Sequence, residues 1–130
     1  GSVETAYFSV TGTDDEVVPF VNENNWRTNA FFCAWTAYQT MNGMEVSSRP
    51  DFSKDATFGI ALKDREVIST NKRVTMEAGV LYKGNIPLIK VVAVNDYGHW
   101  NFKPDARLMW DFMKQFSRDP QTKKLVYNKR

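Results

Sequence analysis

Ile86-Pro87-Leu88-Ile89-Lys90-Val91-Val92-Ala93-Val94 is the stretch on which the fold turns. Only Pro87 and Lys90 interrupt its apolar character. A strand with one wet face alternates apolar and polar side chains, whereas a near-continuous run is what a strand covered on both faces requires. The run is also far shorter than the ~20 apolar residues of a membrane span. Turn chemistry bounds it on both sides, with Lys83-Gly84-Asn85 before it and Asn95-Asp96-Tyr97-Gly98 after it.

Upstream, Val74 to Tyr82 reads as another strand. Phe58 to Thr70 fits either a hairpin or a short helix turning near Lys63-Asp64. Residues 45–70 as a whole form a polar surface excursion, rich in Ser, Asp and Lys. Ala30, Ala34, Ala37 and Met41 recur at helical spacing with Phe31, Trp35 and Tyr38 beside them, which predicts a helix over 24–42. Asn22, Asn24 and Asn25 are the candidate caps at its start, and Asn42-Gly43 is its stop. Glu4 to Val10 reads as a strand closed by a Thr11-Gly12-Thr13 turn. Downstream, Pro104 opens a helix in which Leu108, Phe112 and Phe116 share one face, ending near Ser117-Arg118-Asp119-Pro120. Residues 118–130 read as a solvated basic tail. The order strand, helix, strands, buried strand, helix predicts the α/β class: parallel strands flanked by helices, with a hairpin excursion.

The 130 residues, 42% of them hydrophobic, fit a single unit with its own core, and Gly1-Ser2 reads as a cloning remnant. A net charge of +2, evenly spread, excludes a nucleic-acid surface. One cysteine, Cys33, excludes a disulfide framework, and with one histidine it excludes the usual zinc sites. No cofactor and no metal are expected. Cys33, inside the helical pattern, reads as a buried thiol, and Trp35 and Trp110 read as packing residues.

The lone histidine, His99, directly follows the most apolar strand, on a loop at that strand's carboxyl end. Ligand crevices of open α/β sheets lie there. The first strand ends in a loop of acids, Gly12-Thr13-Asp14-Asp15-Glu16-Val17-Val18-Pro19. If the two strands are parallel neighbours, both loops open on one edge. Asp15 then accepts a hydrogen bond from His99, fixing its tautomer and stabilising the imidazolium. Trp100 is placed to line a substrate cleft.

These two segments, with Gly98-His99-Trp100 far downstream of the acid loop, resemble the acid and histidine segments of α/β-hydrolase esterases, of the polyhydroxybutyrate-depolymerase-like and feruloyl-esterase-like kind. Ala34 to Gly43 and Phe116 to Thr122 are similar to further parts of that family. The resemblance implies a serine hydrolase of carboxylic esters, with Asp15 as triad acid and His99 as base. It also implies a serine in a Gly-x-Ser-x-Gly elbow earlier in the chain. None of the seven serines here has glycine two positions away on both sides. The chain is therefore expected to be the C-terminal part of such an enzyme, lacking the N-terminal half with nucleophile and oxyanion hole. Alone it is predicted inactive and prone to self-association through the exposed seam. Two other readings stay open. One is a non-catalytic carbohydrate- or polymer-binding module using exposed aromatics on an all-β sandwich. The other is a small enzyme working with the Asp–His pair alone.

Overall fold

The computed structural model describes residues 4–70, 74–98 and 103–129. Its elements are β1 (Tyr7–Gly12), α1 (Ala30–Met41), β2 (Lys63–Ser69), β3 (Thr75–Lys83), β4 (Ile86–Val94), α2 (Lys103–Met113), β5 (Phe116–Arg118) and β6 (Leu125–Tyr127). Four strands form one sheet in the order β1-β4-β3-β2, and β5 pairs with β6 in a small second sheet. In that sheet β1 and β4 run parallel, while β4–β3 and β3–β2 are antiparallel.

This corrects the expected fold class. Among the described residues the chain is mostly β, a mixed sheet with a single parallel pair and two short helices, and not the parallel, helix-flanked sheet of an α/β-hydrolase. The physical reason lies in Gly84. With φ of +61° it supplies the left-handed residue of a tight turn, so Lys83 pairs with Ile86 and the chain folds straight back. A two-residue turn can join only antiparallel strands, since a parallel connection needs a crossover of a dozen residues or more.

The reading of β4 itself holds. Leu88, Ile89, Val91, Val92, Ala93 and Val94 are buried, because β4 is central and packed on both faces. Val91 and Ala93 join Phe32 and Trp35 of α1, together with Val21, Phe58 and Ile60 from the connecting loops. Val92 and Val94 join Met76 and Ala78, with Leu108 of α2 against them. The rings of Phe20, Phe32 and Phe58 meet Trp35 edge-on at centroid distances of 5.9–6.4 Å, a geometry favoured by the ring quadrupoles. The indole Nε1 of Trp35 donates to Ser9 Oγ at 3.0 Å, so the buried polar atom of each is satisfied.

α1 begins later than the apolar spacing indicates. Asn29 is its cap, accepting from the Phe32 amide at 3.0 Å while its own Nδ2 donates to the Pro19 carbonyl. Asn22 and Asn25 instead brace a turn ahead of it. β1 runs on through Thr11 and Gly12. α2 stops at Met113, and Phe116 lies in β5, yet its ring still packs on Phe112 at 5.1 Å. The stretch read as a tail carries β6, with the Tyr127 ring tilted against that of Phe116 at 5.3 Å. Cys33 is exposed, its Sγ directed at the Arg27 carbonyl, and Trp110 is 62% exposed, so neither is a core residue.

Candidate active-site edge

Because β1 and β4 are parallel neighbours, with Gly12 opposite Val94, the loops that follow them leave the sheet at one edge. Backbone bonds lace those loops together. The Thr13 amide donates to the Val94 carbonyl at 3.0 Å, and the Asp14 amide to the Tyr97 carbonyl at 3.0 Å. The Asp96 amide donates to Thr13 Oγ1 at 2.8 Å. Gly12 is required at this crossing, since a Cβ there would collide with the carbonyls of Tyr97 and Gly98.

Asp15 is 8% exposed. Its Oδ1 accepts from the amides of Val17 at 2.8 Å and Val18 at 2.9 Å, which turns the chain and fixes the carboxylate. Asp14 and Glu16, by contrast, point to solvent. An open cleft of about 540 Å³ lies beside the carboxylate, between Thr13, Asp14, Asp15 and Phe20. His99 and Trp100, the other two residues singled out from the sequence, lie outside the described residues. The described chain reaches Gly98, whose carbonyl borders Gly12.

One polar constellation went unread in the sequence. Arg65 donates from Nε to Asp55 at 2.7 Å, from Nη2 to Glu77 at 2.7 Å, and from Nη1 to the Ala78 carbonyl at 2.9 Å. Thr57 also donates to Glu77. Burial pushes the Glu77 carboxyl up, but the bonds from Arg65 and Thr57 outweigh this and leave it below its ordinary value. A register shift between Lys63 and Glu66, with Asp64 at φ 51°, redirects Arg65 toward β3. Gly79 leaves room for it and for Leu62, since a Cβ there would meet Leu62 Cδ1 at 2.6 Å and Arg65 Cδ at 2.9 Å. The cluster anchors the 55–58 turn to the sheet. Nothing in the bare sequence of charges distinguishes it from a solvated run.

A second cleft of about 390 Å³ opens between residues 44–61 and the end of β3, with Gln39 held to Ser47 at its side. Among the described residues no group of three or more His, Cys, Asp or Glu side chains is arranged to hold a metal ion, and no helix is long and apolar enough to cross a membrane. Comparison with protein-family models, with curated protein sequences and with solved structures finds no match.

Proposed function

We propose that the edge formed by the β1 and β4 loops serves hydrolysis of a carboxylic ester, with Asp15 orienting His99 and His99 acting as the base toward a serine supplied from outside these 130 residues. The observation that carries this reading is the lacing of the acid loop to the segment ending at Gly98, the immediate neighbour of His99. The reading concerns the acid–histidine pair and its loops and does not depend on the α/β-hydrolase sheet, which the mixed sheet excludes. In such a pair the carboxylate fixes the tautomer and stabilises the imidazolium that forms when the serine proton is taken. His99 then returns that proton to the leaving alcohol. This reading also assigns Trp100 to the ester-binding side. The same reading includes the serine-bearing segment as a partner and self-association of the chain in its absence. Coplanar exposed rings for a polymer-binding surface find less support, because Trp110 is the one largely exposed aromatic residue among the described residues.

His99 is the only histidine, so its imidazole resonances report without ambiguity. The test is an NMR titration of His99 in the whole chain and in Asp15→Asn. Loss of the charged partner is expected to lower the titration midpoint by about one unit. An unchanged midpoint would sink the pairing. The chain alone is expected not to hydrolyse p-nitrophenyl acetate. Hydrolysis abolished by His99→Ala would show that no outside serine is needed.

A further inference from the structure

The sheet has two ends, and they are built differently. The β2 end carries Lys63, Asp64, Arg65 and Glu66, a register shift and a left-handed Asp64. Charges and bulges of this kind are how natural sheets prevent another strand from adding to an edge. The β1 end, Tyr7-Phe8-Ser9-Val10-Thr11-Gly12, has no charge, no proline and no register shift. Its only strand neighbour among the described residues is β4.

The direction of its outward-facing groups follows from the ladder. The Thr13 amide donates to Val94 of β4, so by the two-residue repeat the odd-numbered residues of β1 face β4. Phe8 and Val10 therefore turn their N–H and C=O groups outward. Beside this edge lies α2, which packs on β1 through Phe112 against Phe8 at 6.1 Å. Its core-facing side is spent on Leu108 and Phe112, yet Met109, Trp110 and Met113 form a second apolar stripe, exposed by 48%, 62% and 37%. An uncharged strand edge with no second strand neighbour among the described residues and an exposed Trp–Met stripe thus lie on two elements packed against each other.

We infer that this surface is the interface of a two-fold dimer, in which β1 pairs antiparallel with β1 of a second copy. The occupant follows from self-complementarity. With Ser9 opposite Ser9 of the second copy, the outward groups of Phe8 meet those of Val10 and the reverse, giving two hydrogen-bonded pairs about a central non-bonded one. A two-fold axis between antiparallel neighbours stands perpendicular to the sheet, so each face continues across the junction. α2 then lies on the same side as its symmetry mate, and the two Met109–Trp110–Met113 stripes cover each other. Strand edge and stripe, doubled by symmetry, amount to roughly 1,000 Å², the lower bound for a specific interface. The result is one eight-stranded sheet, guarded at both ends by the charged β2. This inference rests on the self-association part of the reading above and is independent of the acid–histidine chemistry.

Sedimentation of the whole chain over a range of concentrations tests it. The expected result is a reversible dimer whose dissociation constant rises about tenfold or more in Trp110→Glu, a substitution at an exposed position. Val67→Lys, on the opposite edge, should leave it unchanged, and far-UV circular dichroism should be the same for all three proteins. Amide exchange at Phe8 and Val10 should slow as concentration rises. A monomer at every concentration would overturn the proposal and leave the edge to a strand from another segment or protein. So would a dimer indifferent to Trp110→Glu, one weakened equally by Val67→Lys, or one with rapid exchange at Phe8 and Val10.

Discussion

The amide of Asp96 donates to the hydroxyl of Thr13 at 2.8 Å, joining two loops 83 positions apart in the chain. Around that bond the Thr13 and Asp14 amides reach back to Val94 and Tyr97. The carboxyl ends of β1 and β4 thus form one backbone-bonded unit.

Gly12 makes this closeness feasible. Gly12→Ala places a methyl group against the Tyr97 and Gly98 carbonyls, which are backbone and cannot swing aside. The expected cost is about 2–4 kcal/mol of unfolding free energy, from forced separation of the loops. Urea denaturation measures it, and a midpoint equal to that of the parent chain would mean that the loops are not in contact.

Asp15 has a structural task separable from any chemistry. Asp15→Ala removes the acceptor for the Val17 and Val18 amides and should cost about 1 kcal/mol. Asp15→Asn retains an acceptor oxygen and should unfold close to the parent midpoint. Thermal melts of the two variants should therefore differ, with alanine the less stable.

The Arg65 cluster predicts acid sensitivity of defined sign. The folded-state carboxyl of Glu77 lies below its ordinary value of 4.5. Its contribution is fully present above that unfolded value and is lost as the pH falls through the folded one. Glu77→Gln should thus be destabilising at neutral pH, and its deficit should shrink as both proteins are taken to about pH 3. A deficit constant across that range would mean that the charge of Glu77 contributes nothing.

Asn29 joins the start of α1 to the loop before it through both atoms of its amide. Asn29→Ala should cost about 1–2 kcal/mol by the loss of the cap and of the bond to Pro19. Asn29→Asp, which keeps the cap but not the Nδ2 donor, should recover part of it. Equal stability of the two variants would show that the cap has no weight, and Asn29→Asp as stable as the parent chain would show that the Pro19 bond has none.

Residues Ile86 to Val94 disclosed a strand buried on both faces because such burial leaves no alternative to an apolar run. The partner on each side was less legible. Gly84-Asn85 was visible as a turn, but its left-handed glycine, which makes β3 and β4 antiparallel, is a property of backbone geometry that a turn signal alone does not carry. β2 was obscured because its side chains are largely exposed and charged, so no period of two survives in Lys63-Asp64-Arg65-Glu66. Phe116 continued the i+4 spacing of Leu108 and Phe112, and it does meet Phe112, but from a strand rather than the helix. For the candidate site, Asp15 and its loop were legible through Gly12 and the run of acids. The parallel pairing of β1 with β4, which no local pattern in either strand specifies, is what the ladder from Tyr7 to Gly12 provides.

Arg65 also sets how the molecule opens. One guanidinium is bonded at once to the 55–58 turn, to the Glu77 side chain and to the Ala78 carbonyl. The outermost strand therefore cannot peel from β3 without releasing the turn that carries Asp55, Thr57 and Phe58. Strand and turn share a single opening event, and hydrogen exchange should find them to be one cooperative unit, slower than an isolated edge strand and faster than the buried β4.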